Sequence, residues 1–280
     1  MTTKAPAVSV IVPVLNEEQR IAGLLDSLGR QTEGDFEVLV VDNGSADGTV
    51  PAAAAHPLGA RVLSEPAPGP YAARNAGIVS ARAEVLAFTD ADCRPEPGWL
   101  EAGLLALDAG ADLVAGAILQ TAGDPETVWE RYDRAMYLRQ QDYVAEGFGA
   151  TANLFSRAEV FRVTGPFVAE LTASGDVEFG RRALSADFRL VYQPTAVVRH
   201  RARCGPGEIW ALHRKLGTGF AQLARRGLRP PAWRDPALRQ PIGMVVDAVA
   251  ADGPPLRRRQ LLAVHTVAMA GRWAGAVLPG

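Results

Sequence analysis

The run Val85-Leu86-Ala87-Phe88-Thr89 ends in Asp90-Ala91-Asp92, two carboxylates one residue apart where an apolar stretch stops. Alternate side chains of an extended segment share a side, so Asp90 and Asp92 point the same way. Carboxylates that close repel unless something positive lies between them. A divalent cation held through carboxylate oxygens, with a diphosphate on its other side, would satisfy both acids. A surface turn carrying two aspartates is the plainer alternative, and the triplet alone does not choose. Further acids stand at Asp42, closing the run Phe36 to Val41, and at Asp176 and Glu178 in "TASGDVEFGRRAL". Without other information the last two read as charge near a helix N-terminus, where acids are favoured. His200 closes "TAVVRH", and a single histidine serves equally as a ligand or as a packed side chain.

These residues need elements to hold them. Val8 to Val14 reads as a buried strand, followed by a helix from about Glu17 to Leu28 with Ile21, Leu24, Leu25 and Leu28 on one face. Phe36 to Val41 is a second strand, and "DNGSADGT" is a turn cluster leading to a short helix at Val50 to Ala55. Arg61 to Leu63 is a third strand, Tyr71 to Ala81 a helix, and Val85 to Thr89 a fourth strand. Strands alternating with helices predict a mostly parallel sheet with helices on both faces. Ligands of such sheets bind beyond the carboxyl ends of the strands, so Asp42, Asp90 and Asp92 should converge on one crevice. Leu113 to Leu119 reads as a strand, Pro125 to Gln141 as one polar helix, and Pro206 to Gly227 as a basic helix. The Pro-rich "LRPPAWRDPALRQP" separates the basic helix from a C-terminal helical region.

At 280 residues, 48% hydrophobic and 21% charged, the composition is that of an ordinary globular chain with a sizeable core. A net charge of −2 gives no global field toward nucleic acid, and no nucleic-acid partner is expected. Two cysteines, Cys93 and Cys204, make neither a disulfide framework nor a cysteine zinc site, which suits a reducing compartment. The start "MTTKAPAVSVIVPV" lacks a signal-peptide pattern. The apolar tail from Leu261 to Leu278 is interrupted by His265 and Arg272, which suits a surface or interfacial helix better than a span.

No phosphate-binding glycine motif follows the first strand. Instead "VPVLNEE" ends that strand, "VVDNGSADGT" ends the second, and "PAPGPYAARNAGIVSARAE" precedes the D-A-D. In this order and spacing the pieces resemble the large inverting, nucleotide-sugar-dependent glycosyltransferase family of the GT-A fold, the group called family two. The resemblance covers Val8 to about His200. It implies an α/β fold, a Rossmann-like sheet flanked by helices, with a helical C-terminal extension. The implied division is residues 1–120 as the nucleotide-sugar half, 121–204 as the acceptor and catalytic half of the same domain, and 205–280 as the extension.

The resemblance also implies roles. Pro13 and Glu17 border the nucleotide, Asp42 meets the base, and Arg74 and Asn75 lie along the nucleotide. Asp90 lies near the ribose, and Asp92 holds a divalent metal, Mn²⁺ or Mg²⁺, with His200 a further ligand. Asn153 and Glu178 stand on the acceptor side, and Asp176 is the catalytic base. Two departures are visible: Asn43 stands where the family often has a second aspartate, and Gly175 stands where a glutamate is usual. Trp99 matches a recurring aromatic, for which packing is the expected job, and His213 is expected to be solvated or packed.

The expected reaction is transfer of a sugar with inversion from a nucleotide-diphosphate donor, a UDP-sugar by default with GDP and TDP open. The acceptor is a glycan, a small molecule or a lipid-linked sugar. A non-catalytic sugar-nucleotide binder is the alternative, and a sugar-phosphate nucleotidyltransferase is disfavoured by the acidic "VLNEEQR" loop. The basic helix and Arg257-Arg258-Arg259 suit an anionic membrane surface or a homodimer contact. A cytoplasmic place, peripheral to the inner face of the membrane, is the matching expectation.

Overall fold

In the computed structural model the described residues are 4–228 and 258–277. The Pro-rich stretch past Leu228 and Arg257 lie outside them, as do the side chains of Arg258 and Arg259. Strands β1 (Val8–Val14), β2 (Phe36–Asp42), β3 (Arg61–Ser64) and β4 (Val85–Thr89) are parallel. Between them run helices α1 (Glu18–Leu28), α2 (Thr49–Ala54) and α3 (Pro70–Ser80). The apolar run of β1 is buried almost throughout, as a strand covered on both faces must be. Helix α1 buries Ile21, Leu24, Leu25 and Leu28, its single apolar stripe. Gly77 lets α3 lie close to β1, because a Cβ there would come within 2.5 Å of Ile11.

The second half of the sheet is mixed in direction, with β6 and β8 side by side in the same sense. The chain continues through β5 (Cys93–Pro95), α4 (Trp99–Asp108), β6 (Leu113–Thr121), α5 (Val128–Met136) and α6 (Gln140–Ala145). It goes on through β7 (Asn153–Arg157), α7 (Ala158–Thr164), α8 (Gly175–Ser185) and β8 (Leu190–Arg201). Strand β7 runs antiparallel to β4, with Thr89 opposite Asn153, and β6 runs antiparallel to β7. Strand β5 pairs antiparallel with β8, with Cys93 opposite His200. The described strands form one mixed sheet in the order β3-β2-β1-β4-β7-β6-β8-β5.

The helix predicted at Pro125 to Gln141 is two helices. Thr127 and Glu130 form a capping box at the start of α5, and Tyr137 ends it in an extended conformation. Leu138 then takes a positive φ of 57° before α6 begins. This break coincides with a boundary in the chain's organisation. One compact unit holds the residues up to Leu119, Gln140–Glu170 and Gly175–His200. A second holds Gln120–Arg139, Leu171–Ser174 and the described residues from Arg201 onward.

In the second unit, α9 (Pro206–Arg225) and the C-terminal helix α10 (Arg258–Val277) cross closely. Gly217 lies against the Arg272 carbonyl and Gly275 against the Arg214 carbonyl, with no room for a Cβ at either. Tyr132 of α5 joins Ile209, Leu261, Val264 and Ala268 in the core of this unit. No helix of the described residues is long and apolar enough to cross a membrane.

Candidate active site

The site residues all belong to the first unit. Strand β1 lies between β2 and β4, so the ends of β2 and β4, which carry Asp42 and Asp90, are two strands apart. The loop after β1 is tied to the loop after β2. The Asn16 amide donates to Ser45 Oγ at 2.9 Å, the Ala46 amide to Asn16 Oδ1 at 2.9 Å, and the Glu17 amide to Thr49 Oγ1 at 2.7 Å. Pro13 sits opposite Val41 in the ladder, and the Glu17 carboxylate pairs with Arg20 at 2.8 Å. Asp42 is buried, and its carboxylate accepts from the amides of Gly44 (3.2 Å) and Ser45 (3.1 Å). These bonds fix its orientation in an Asx-type turn.

Asn43 explains its own departure from the family pattern. Its amide donates to the carbonyls of Glu65 (2.9 Å) and Ala67 (2.7 Å), while its oxygen accepts from the Gly69 amide at 2.7 Å. An ionised aspartate has no donor for those two carbonyls.

Arg74, in the second turn of α3, is a buried cation rather than a solvated one. Its guanidinium meets Asp90 Oδ1 at 2.5 Å, with the arginine 5% and the aspartate 34% exposed. It also lies 5.5 Å from the centre of the Tyr71 ring. Asn75 ties α3 to the loop at Phe167. Its side chain bonds the amide and carbonyl of Phe167 at 3.0 and 2.9 Å, bracing α3 against that loop.

The pairing of β5 with β8 brings Asp92 and His200 together, with Oδ2 and Nε2 3.2 Å apart. The D-A-D turn is clamped by Arg94, which donates to the carbonyls of Cys93 (2.7 Å), Ala91 (3.2 Å) and Arg20 (3.2 Å). The buried thiol of Cys93 is pushed well above its usual pKa by burial and by the charges of Asp92 and Asp90, so it stays protonated. No group of three acids, histidines or cysteines able to hold a metal occurs among the described residues. A carboxylate oxygen and an imidazole nitrogen make a half-set, which suits a cation whose remaining ligands are phosphate oxygens and water.

Asp176 lies in the first turn of α8, partly exposed, with Oδ1 accepting from the Val177 amide at 3.0 Å. Burial raises its carboxyl pKa, and the Arg74 guanidinium works against that rise without cancelling it. Glu178 is taken up by Arg182 (2.9 and 2.8 Å), whose guanidinium also bonds the carbonyls of Gly165 and Pro166. That carboxylate therefore braces α8 against the preceding loop.

Asn153 stands at the start of β7. It is wholly buried, with Oδ1 accepting from Trp99 Nε1 at 2.7 Å and Nδ2 donating to the carbonyls of Ala117 and Ala196 at 2.8 and 2.9 Å. Every polar atom of its side chain is used inside the sheet. Trp99 packs on Phe155, ring centres 4.9 Å apart, which is the packing role expected of it.

Sequence reading missed Tyr71 and Arg94. Tyr71 lies three residues before Arg74, on the same face of a helix, which is the signal that would have found it. Arg94 carried no comparable signal.

A sheet that carries Asp42 and Asp90 at the ends of parallel strands and His200 on β8, with Asp176 at the start of α8, is the GT-A arrangement of a nucleotide-sugar-dependent glycosyltransferase. Residues 9–164 match the model of Glycosyl transferase family 2, and the chain belongs to that family. It is 36% identical over 231 residues to "Glycosyltransferase AglE" of Haloferax volcanii, covering 80% of this chain and 76% of that one. It spans about half the length of two mycobacterial relatives it also matches, an uncharacterized glycosyltransferase of Mycobacterium bovis and a pre-mycofactocin glycosyltransferase of Mycobacterium tuberculosis. Among solved structures it resembles a mannosyltransferase of Pyrobaculum calidifontis in complex with GDP-Man and Mn²⁺. That match has a TM-score of 0.60 at 23% identity, covering 98% of this chain and 87% of that one. It also resembles glucosyl-3-phosphoglycerate synthase of Mycobacterium tuberculosis in complex with Mn²⁺, UDP and glucosyl-3-phosphoglycerate. There the TM-score is 0.55 at 26% identity, covering 80% and 81% of the two chains.

Proposed function

We propose that the chain transfers a sugar from a nucleotide-diphosphate donor to an acceptor hydroxyl with inversion, and that Asp176 is the general base. The observation that carries this reading is the place of Asp176, in the first turn of α8 beside the buried Arg74–Asp90 pair, where burial raises its proton affinity. A base works best when its pKa approaches the operating pH. Asp176 takes the proton of the acceptor hydroxyl as the oxygen bonds to the anomeric carbon and the bond to the diphosphate breaks on the opposite face. Asp42, fixed by its turn, offers its free lone pairs to an N–H of the base, and Pro13 and Glu17 border the nucleotide. Arg74 favours the anionic donor, as a cation in the first turns of a helix does.

Asp92 and His200 would hold the divalent cation, Mn²⁺ or Mg²⁺. When bound, such an ion supplies positive charge beside the departing diphosphate. The structural relatives hold GDP-Man or UDP together with Mn²⁺, which supports a nucleotide donor of this class and a metal of this kind. UDP is the default nucleotide here.

The test is Asp176→Asn, assayed for transfer and for donor affinity, with the anomeric configuration of the wild-type product read by proton NMR coupling. General-base assistance is worth about 10²–10⁴-fold, so turnover should drop by that factor while donor affinity holds. Near-normal turnover removes Asp176 from the role, and a retained configuration removes the single displacement.

A further inference from the structure

Gly175 stands directly before Asp176, at the place where the resembling family usually carries a glutamate. The structure shows what fills that place. A Cβ built on Gly175 would come within 2.7 to 2.8 Å of three atoms of the Tyr71 ring, closer than real Cβ atoms approach anything. Tyr71 is itself buried, with its ring 5.5 Å from that of Phe167, so it has nowhere to retreat. Its hydroxyl accepts from the Gly175 amide at 2.8 Å. That amide is one of the first N–H groups of α8, which no carbonyl of the helix can satisfy.

We propose that Tyr71 is a positioning residue for Asp176: its hydroxyl holds the first turn of α8, and its ring occupies the space that Gly175 leaves. Tyr71 and Gly175 are then a matched pair that replaces the usual acid. The proposal rests on the reading of Asp176 as the base. Burial and the neighbouring Asp176 charge hold the Tyr71 hydroxyl in its protonated form, so it remains a neutral acceptor for the Gly175 amide throughout the working pH range. Arg74 lies over the same ring and pairs with Asp90, so one face of α3 touches both the donor-side acid and the helix that bears the base.

The experiment compares Tyr71→Phe, Gly175→Ala, the double variant and Asp176→Asn in the full chain. Phenylalanine keeps the ring and removes one hydroxyl, so it separates packing from the hydrogen bond. Nucleotide release is measured from GDP-mannose, UDP-glucose and UDP-N-acetylglucosamine with Mn²⁺, and amide exchange of Gly175 is followed by NMR without any ligand. Loss of the hydroxyl should lower kcat about tenfold, leave the donor KM within about twofold, and speed Gly175 exchange about tenfold. Because the two residues act as one device, the double variant should be hardly worse than Gly175→Ala alone. Wild-type kcat and unchanged exchange in Tyr71→Phe, or additive losses in the double variant, overturn the proposal. If Asp176→Asn turns over normally, the base assignment falls instead, and Gly175 exchange still reports the Tyr71 contact.

Discussion

His213 ties the stability of the second unit to pH. It lies buried in α9, with Nδ1 3.0 Å from a terminal guanidinium nitrogen of Arg272 in α10. The guanidinium can only donate, so Nδ1 accepts and the ring proton belongs on Nε2. Burial, then the charges of Arg272 and Arg203 and the nearby His265, lower its pKa from 6.5 to about 3. The folded chain thus keeps this imidazole neutral while the unfolded chain protonates it near pH 6.5. The stabilisation is complete above pH 6.5 and is lost as the pH falls toward about 3. At about 1.4 kcal/mol per pH unit, the fall from 6.5 to about 3 corresponds to about 5 kcal/mol at the limit. Roughly 2 kcal/mol of it should be gone by about pH 5. His213→Gln keeps an acceptor for Arg272 and removes the titration. Urea unfolding of both proteins, followed by helical circular dichroism between about pH 7.5 and 5, isolates the effect from other groups. The wild type should lose about 2 kcal/mol more than the variant over that range. Parallel pH profiles would refute the reasoning, because they would mean that this histidine takes up its proton without unfolding.

Two further expectations concern the site. The folded-state pKa of Asp176 is raised, so its ionised form is disfavoured by folding, and its contribution to stability is lost as the pH rises through that value. Asp176→Asn should therefore melt higher than wild type near neutral pH and lose that advantage toward acid. A lower melting point at neutral pH would mean that Arg74 outweighs burial. Asn153→Ala strands the Trp99 N–H and two carbonyls inside the sheet. At about 1–3 kcal/mol for each unsatisfied group, the loss in urea unfolding should be about 3 kcal/mol or more. Wild-type stability with an altered acceptor KM would return Asn153 to the acceptor side.

The parallel half of the fold was legible because its strands are unbroken apolar runs closed by turn chemistry, and β1 and β4 lie where those runs do. The mixed half was harder to read. β5 has three residues, and β8 is longer than "TAVVRH" and mixes polar with apolar positions. The split between α5 and α6 is set by a positive φ at Leu138, a residue type that does not announce one. Within the site, spacing located the acids, but residue type could not separate a polar group that meets a ligand from one that braces the protein. Asn75, Asn153 and Glu178 are each consumed by partners 92, 43 and 4 residues away, and the two long-range sets exist only once the chain has folded. Gly175 read as a lost carboxylate until its neighbour Tyr71 was in place.

The proposed metal-assisted diphosphate site rests on Asp92 and His200. Calorimetric titration with UDP, GDP and TDP, with and without Mn²⁺, on wild type and Asp92→Ala, tests it most directly. One nucleotide should bind tightly with Mn²⁺, weakly without it, and weakly in the variant under both conditions. Binding that ignores both the metal and the loss of Asp92 would contradict it.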